Sequence, residues 1–182
     1  MKKAPRKQGA IADSARKFVV SELIKVPLAR EKAGRHIDTK QIRPLLEKCA
    51  AFAKKHGCYV FAIRTSQGAT PVYVGRATKQ TLGKEAFSAD KLNKANCALQ
   101  QWKKGTLVLA FVTPEDDRRN VAEKSIKEIE DVLIQYAHER NPNVQNERGI
   151  IKYRWFIDGV FNSNPGRPAE KCNRFRAMLG ID

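Results

Sequence analysis

The chain has 182 residues, of which 42% are hydrophobic, and its 35 basic and 19 acidic side chains give a formal net charge of +16. That length supports one domain with appendages or a small pair of domains around a buried core. No apolar run is long enough to cross a bilayer, and the lysine-rich start leads into polar sequence rather than a secretory segment. We therefore expect a cytoplasmic protein without a membrane anchor.

The positive charge is concentrated near the start of the chain. Residues 1–48 carry 13 basic and 5 acidic side chains, whereas the longer segment 49–147 carries 15 and 11. Such a surface favours a polyanionic partner, with nucleic acid first, because neutralising phosphates releases counterions. An anionic membrane is a weaker partner, since no basic helix has large aromatic residues on its opposite face. Residues 1–13 are interpreted as a basic, flexible tail that either solubilises the protein or binds phosphates.

The cysteines and histidines are scattered and show no closely paired ligands of the zinc-finger type. We therefore expect no structural zinc. Cys49, Cys58 and Cys97 lie in apolar sequence, which predicts reduced thiols packed in the core.

Helices are predicted before the first strand of the chain. One extends over residues 14–26 and is stopped by Pro27, and another covers residues 39–55 or 44–55. Residues 14–56 are therefore interpreted as an N-terminal helical extension.

Two short apolar strands follow, and each contains a tyrosine. The first covers residues 59–64 and the second residues 72–75, with turn-forming residues at 66–69 between them. This spacing predicts an antiparallel hairpin. The hairpin would place Tyr59 and Tyr73 at the same end of a sheet.

The next part of the chain alternates helix, strand and helix. Periodicity predicts a helix over residues 89–104, ended by Gly105, and then a central strand over residues 106–112 that is buried on both faces. A long amphipathic helix begins within residues 114–120 and ends before Pro142. The three predicted strands form one sheet.

One acidic residue lies in the apolar stripe of this long helix. Glu130 follows Ile126 by four residues and precedes Leu133 by three, which places its side chain at the edge of the inward face. Glu128 has polar neighbours at helical spacing and should be solvated. Glu130 is therefore either paired with one of the many cations or retained for a chemical role.

Together these segments resemble the motifs of the GIY-YIG nuclease family. The matching segments are Gly57-Cys58-Tyr59 for the first signature, Tyr73-Val74-Gly75 for the second, Glu130-Asp131-Val132-Leu133-Ile134 for the Glu-x-x-Leu-Ile helix, and Asn146, or failing that Asn143, for the downstream asparagine. The resemblance implies an α/β (α+β) fold with a three-stranded antiparallel sheet flanked by helices. The nuclease-like core would cover residues 57–147, between N- and C-terminal extensions.

The resemblance also implies a reaction site. Glu130 would bind one divalent metal ion, Mg²⁺ or Mn²⁺, which contacts the scissile phosphate. Tyr59 and Tyr73 would position or deprotonate the attacking water, which requires the metal or nearby cations because a free phenol has a pKa of about 10. Gly75 would let phosphate approach the backbone, and Arg76 would hold a phosphate oxygen.

The resemblance also implies a role for Asn146 and for an arginine after the second signature, and this chain departs from the family pattern at the arginine. Asn146 would bind substrate or neighbouring backbone through its amide. The arginine that the family has on the helix after the second signature is absent from residues 78–85. Lys84 is the nearest substitute, and Lys79 and Lys91 are further phosphate-binding candidates. Lysine lacks the planar two-pronged guanidinium, so this departure puts the activity in doubt.

The C-terminal segment 148–182 is interpreted as a basic extension packed on the core. Residues 150–157 alternate aromatic and basic side chains, which predicts an added strand that either packs or stacks on bases. Residues 169–179 predict a short basic helix.

Two functions are compatible with these observations. The first is a metal-dependent DNA endonuclease that hydrolyses phosphodiester bonds, with RNA as another substrate class to test. The second is a nucleic-acid-binding module that has kept the fold and the basic surface but has lost the activity. Glu130 separates them, since an enzyme needs its carboxylate for metal beside the two phenols.

Overall fold

The computed structural model describes residues 17–31, 34–102, 104–115, 123–146, 148–149 and 169–179. The chain divides into two compact units, residues 1–150 and 151–182. In the first unit, helices flank an antiparallel sheet, which confirms the predicted fold class. The sheet has five strands rather than the three predicted.

The two tyrosine strands form the predicted antiparallel hairpin. Strand β5 is Gly57–Thr65 and strand β6 is Gly68–Ala77, with Tyr59 opposite Gly75 and Phe61 opposite Tyr73. On its other side β5 pairs with β7, Thr106–Pro114, so that β5 is interior and β6 forms an edge of the sheet.

The prediction of a helix over residues 14–26 is wrong for residues 17–26, the part of this range that the structure describes. Two short strands, β1 at Phe18–Val20 and β2 at Ile24–Lys25, pair antiparallel with β7 instead. The Phe-Val-Val run of β1 is rich in strand formers, and the second edge of β7 supplies hydrogen-bond partners that local periodicity does not reveal. These two strands also explain why β7 is interior, as predicted.

A second, two-stranded sheet follows in the segment predicted to be helical. Strand β3 is Leu28–Glu31 and strand β4 is Gly34–Ile37, and the two pair antiparallel. A 3-10 turn at Thr39–Gln41 leads into α1, Ile42–Lys48, and then α2, Ala50–Ala53. The helical prediction for residues 39–55 is thus confirmed, with an interruption at Cys49.

The remaining helices agree with the predicted order. They are α3 at Leu82–Ala86, α4 at Ala89–Gln101 and α5 at Glu123–Arg140. In the described part of the chain, no helix combines the length and apolarity that a membrane span requires.

Buried residues cover both faces of the β5–β6 hairpin. Tyr59 and Phe61 belong to the larger cluster, which includes α3 and α4, whereas Val74 packs with Ile134 and Ala137 of α5. Because side chains alternate along a strand, residues on one strand contribute to both clusters.

The thiols do not all lie in the core. Cys58 is buried and Cys49 is half-buried, but Cys97 is exposed, contrary to the prediction. The buried residues of α4 are Ala95, Ala98 and Leu99, and Cys97 lies away from the face that they form.

In the second unit, α6 at Glu170–Leu179 agrees with the predicted C-terminal helix. The predicted strand over residues 150–157 and the predicted tail over residues 1–13 lie outside the described residues.

Candidate functional site

A cavity of about 780 Å³ borders the edge strand β6 and reaches α4 and α5. Tyr73 and Gly75 project toward the α4 side of the strand, and Arg76 projects toward α5, because neighbouring residues of a strand alternate in direction. The segment after α5 contributes Asn146 and Arg148. We call this the β6 cavity. It gathers residues from both faces because, among the described strands, none pairs with β6 on the side away from β5.

Charged side chains dominate the lining of the β6 cavity. The basic ones are Arg76, Lys91, Lys94, Lys127 and Arg148, and the acidic ones are Glu85, Glu130 and Asp131. Five cations against three carboxylates leave an excess of positive charge, so the cavity is suited to an anionic group such as phosphate.

Glu130 lies inside this cavity, as the apolar stripe of α5 predicted. Ile126, Ile134 and Ala137 of the same helix are buried, and the side chain of Glu130 is only 15% exposed. Its Oε2 accepts a hydrogen bond from Nη1 of Arg76 in a charge-assisted pair. By contrast, the side chain of Glu128 is 64% exposed. The structure thus confirms the predicted difference between Glu130, which faces inward, and Glu128, which is exposed. It also shows that Glu130 pairs with Arg76.

The environment of Glu130 does not favour its charge. Burial raises the pKa of its carboxyl group above the ordinary value of 4.5, and the Arg76 guanidinium offsets this rise only in part. A divalent cation bound beside this carboxylate would stabilise its ionised form.

This raised pKa predicts how stability depends on pH. Because the folded state binds the Glu130 proton more tightly than the unfolded state does, protonation stabilises the native protein. We expect the free energy of unfolding of the wild type, relative to Glu130→Gln, to rise as the pH falls through the raised pKa and to level off below 4.5. Urea unfolding of both proteins across this interval measures the difference. A relative stability that falls on acidification would contradict the desolvation of Glu130.

Tyr73 is the phenol that lines the β6 cavity. Two lysine ammonium groups lie near its ring, with Nζ of Lys91 at 5.7 Å and Nζ of Lys94 at 5.5 Å from the ring centroid. Burial by itself would lower the pKa of Lys91, but Asp90 and Tyr73 outweigh it and raise the pKa, so Lys91 keeps its charge. Of the two tyrosines, Tyr73 is the one that a ligand in the cavity would contact.

Tyr59 has a different environment, although its ring centroid lies only 6.2 Å from that of Tyr73. It is fully buried, it does not line the cavity, and its hydroxyl has no hydrogen-bond partner among the described residues. Burial first, and then the neighbouring Tyr73, raise its pKa far above the ordinary value. Tyr59 therefore keeps its proton. Its surroundings do not suit the water-activating role that the family resemblance implied.

Gly75 has a packing function in this arrangement. A Cβ atom at this position would overlap the phenol oxygen of Tyr59 across the hairpin. The absence of a side chain thus lets the buried tyrosine fill the space beneath β6, and it also leaves the strand backbone open to the cavity.

Asn146 holds the outer edge of β6. Its Oδ1 accepts a hydrogen bond from the backbone N–H of Val74 at 2.9 Å, and its Nδ2 donates to the Val74 carbonyl at 2.8 Å. Asn141 donates to the carbonyl of Pro71, and the Gln145 N–H donates to that of Val72, both at 2.8 Å. The segment after α5 therefore satisfies an edge that would otherwise be unpaired. Of its two predicted roles, Asn146 has the contact with neighbouring backbone.

The predicted lysines are divided between different places. Lys91 lines the β6 cavity, but Lys84 lines a separate cleft beside α1 and α2, and Lys79 is exposed without lining the β6 cavity. Lys84 is therefore not the replacement for the missing arginine in this structure. Lys94 and Lys127, which were not predicted, lie in the cavity. Each is three residues from a predicted site residue on the same helix, and this spacing could have revealed them.

The first signature also contains Cys58, which packs beneath α5. Its Sγ lies 3.3 Å from the carbonyl oxygen of Ile126, and burial followed by the charge of Glu130 raises its thiol pKa to about 12. The thiol is therefore protonated and inert, and its burial agrees with the predicted packing of Cys58 in the core.

The carboxylates of the cavity set limits on metal binding. Among the described residues, no three side chains of the His, Cys, Asp or Glu types lie close enough together to form a metal cluster. Glu130 and its neighbour Asp131 both line the cavity. Mg²⁺ retains several waters and often takes only one or two carboxylates together with substrate phosphates, so these residues fit such an ion when a phosphate is present.

Comparisons with known proteins give no relative for this chain. No protein-family model, no curated protein and no solved structure matches it.

Proposed function

We propose that this chain is a metal-dependent DNA endonuclease of the GIY-YIG type, which hydrolyses phosphodiester bonds in the β6 cavity. The observation that carries the proposal is the convergence of Tyr73, Arg76 and Glu130 in one positively charged cavity. Tyr73 belongs to the segment that resembles the second signature, Arg76 directly follows that segment, and Glu130 belongs to the segment that resembles the helix motif. Arg76 and Glu130 are 54 positions apart in the sequence.

The proposed binding step uses the cations of the cavity. Arg76 and Lys127 bind oxygens of the scissile phosphate, and Lys91 and Lys94 hold the adjacent phosphate charge. When Arg76 donates to phosphate, the Oε2 of Glu130 loses its partner and can accept a divalent cation. Glu130, with Asp131 beside it, would hold Mg²⁺ or Mn²⁺, which polarises the phosphate and stabilises the leaving oxygen. Phosphate and metal would therefore bind together.

The proposed chemical step uses only one of the two tyrosines. Tyr73 accepts a hydrogen bond from the attacking water at its phenol oxygen, beside the ammonium groups of Lys91 and Lys94. Tyr59 supports the ring of Tyr73 from below and stays protonated. Asn146 holds the outer edge of β6 through its two hydrogen bonds with the backbone of Val74.

The two tyrosines provide the test of this assignment. We expect Tyr73→Phe to slow the metal-dependent cleavage of supercoiled plasmid by about a hundredfold, because it removes the phenol oxygen that orients the attacking water. Tyr59→Phe, its matched control, removes an unpartnered buried hydroxyl and should keep the activity and an equal or greater thermal stability. The reverse pattern, with Tyr59→Phe inactive and Tyr73→Phe active, would show that the assignment is wrong.

A non-catalytic nucleic-acid-binding module is the second candidate. The Arg76–Glu130 pair favours it, because that pair satisfies the carboxylate without any metal. The absence of an arginine from α3 points the same way. Wild-type protein that leaves plasmid, single-stranded DNA and RNA intact with Mg²⁺ and Mn²⁺, but binds them in a salt-sensitive manner, would establish this alternative.

A further inference from the structure

A second basic cleft, separate from the β6 cavity, lies between the β3–β4 hairpin, β2, α1 and the start of β7. It has a volume of about 570 Å³ and shares no lining residue with the β6 cavity. Its charged lining residues are Lys25, Arg30, Arg35 and Lys48, and no acidic residue lines it. We call it the hairpin cleft.

The pairing of the hairpin separates its charges by face. Arg30 lies directly opposite Arg35, whereas Glu31 lies opposite Gly34 on the other face. Glu31, the acidic residue of this hairpin, therefore lies on the face away from the arginines, and its Oε1 lies 3.5 Å from Nε2 of His36. Like charges directly opposite each other on neighbouring strands are unfavourable, so this arrangement calls for an anion between them.

No carboxylate in the described part of the chain pairs with these cations. Arg35 donates to the backbone carbonyls of Trp102 and Gly105, the latter at 2.6 Å, and these neutral acceptors orient the guanidinium without cancelling its charge. Lys25, Arg30 and Lys48 are exposed, and none has an ion pair with a carboxylate of the described residues. The cleft is thus a concave surface with one cation that is oriented by backbone carbonyls and three that are exposed.

We propose that the hairpin cleft binds the phosphodiester backbone of nucleic acid at a distance along the polymer from the phosphate in the β6 cavity. This inference rests on the proposed nucleic-acid partner but not on cleavage. A backbone is favoured over a lipid surface because membrane binding also needs inserting apolar side chains. The large apolar residues that are exposed in the described part of the chain do not line this cleft. Two phosphate sites on one polymer bind with a higher combined affinity than either alone.

The test is the salt dependence of DNA binding by the full chain, measured in EDTA so that cleavage does not interfere. The variant Lys25→Gln/Arg30→Gln/Lys48→Gln removes three cations from the cleft and relieves the Arg30–Arg35 repulsion. The control Lys124→Gln/Arg140→Gln/Lys171→Gln removes the same charge from exposed positions that line neither cavity. The probe is a DNA duplex of several helical turns.

We expect the slope of log K against log salt to fall by about 2.7 in the cleft variant, since each lost phosphate contact contributes about 0.9. Between about 50 and 200 mM salt, the wild type should then lose about 40-fold more affinity than the cleft variant does. The control should change the slope far less, and the melting temperature of the cleft variant should not fall below that of the wild type.

Equal slopes for the cleft variant and the control would overturn the inference. So would a cleft variant that binds DNA normally but no longer binds phosphatidylserine-containing vesicles. The result is independent of catalysis, because a wild type that cleaves nothing can still show the predicted loss of slope. Conversely, a cleaving enzyme with unchanged slope would leave the proposed function standing and remove only this site.

Discussion

Glu130→Gln is expected to abolish metal-dependent cleavage while leaving the fold and nucleic-acid binding intact. Glutamine has nearly the shape of glutamate, and its amide oxygen can still accept a hydrogen bond from Arg76. It lacks the negative charge that a divalent cation requires. The loss should therefore appear in the chemical step rather than in binding.

The expected effect on cleavage is at least about a thousandfold. A bound metal ion contributes several kcal/mol of charge stabilisation to a phosphoryl transition state, and each 1.36 kcal/mol corresponds to about a tenfold change in rate. The measurement is nicking or linearisation of supercoiled plasmid with Mg²⁺, Mn²⁺ or EDTA. EDTA should reduce the wild type to the level of the Glu130→Gln variant.

Glu128→Gln is the matched control, because it makes the same change two residues away on the same helix. The side chain of Glu128 is exposed, and its Oε1 lies 4.0 Å from Nζ of Lys124. Such a surface pair contributes little to stability, so this variant should cleave like the wild type. Equal, metal-dependent cleavage by wild type and Glu130→Gln would remove Glu130 from the proposed metal site.

Gly57→Ala is expected to destabilise the fold by more than about 4 kcal/mol, an exceptional loss for a single methyl group. Gly57 begins β5 with a φ of +151°, a conformation that L-residues rarely adopt. A Cβ atom there would also overlap the carbonyl oxygen of Val112 on β7. Backbone atoms cannot move aside as a flexible side chain can, so the β5–β7 pairing would have to separate locally.

Gly68→Ala isolates the cost of backbone conformation. Gly68 begins β6 with a φ of +113°, but a Cβ atom there meets no atom within 4 Å. This variant should lose about 1 to 2 kcal/mol from strain alone. Thermal unfolding measures both proteins, and the Gly57 variant should melt roughly 10 °C below the wild type. Equal melting temperatures for the two variants would show that contact with Val112 is not the reason for the first glycine.

Several elements could be predicted because their signals are local. The strand formers of β5, β6 and β7 and the apolar period of α4 and α5 lie within single segments, and the structure confirms all five. The error over residues 14–26 arose from a different cause. Residues 18–20 form a strand because β7 offers a free edge, and that edge lies more than 90 residues away in sequence.

The candidate site was predictable only in outline. The stripe of α5 correctly placed Glu130 at an inward position, but its partner Arg76 came from another element. Tyr59 and Tyr73 looked equivalent, since each occupies an apolar strand. Their difference arises because Gly75 leaves room for Tyr59 to be buried beneath the strand. The order of the motifs indicates Lys84 as the substitute for the missing arginine, yet on α3 this residue lines another cleft.

The basic character of the protein, the order of its main elements and the inward position of Glu130 follow from the amino-acid sequence, because charge and periodicity are properties of the chain. Which side chains meet depends instead on the tertiary fold. The β6 cavity, the hydrogen bonds between Asn146 and Val74, and the hairpin cleft each join residues from distant segments. Sheet pairing and burial create these contacts, and neither is encoded in a single segment.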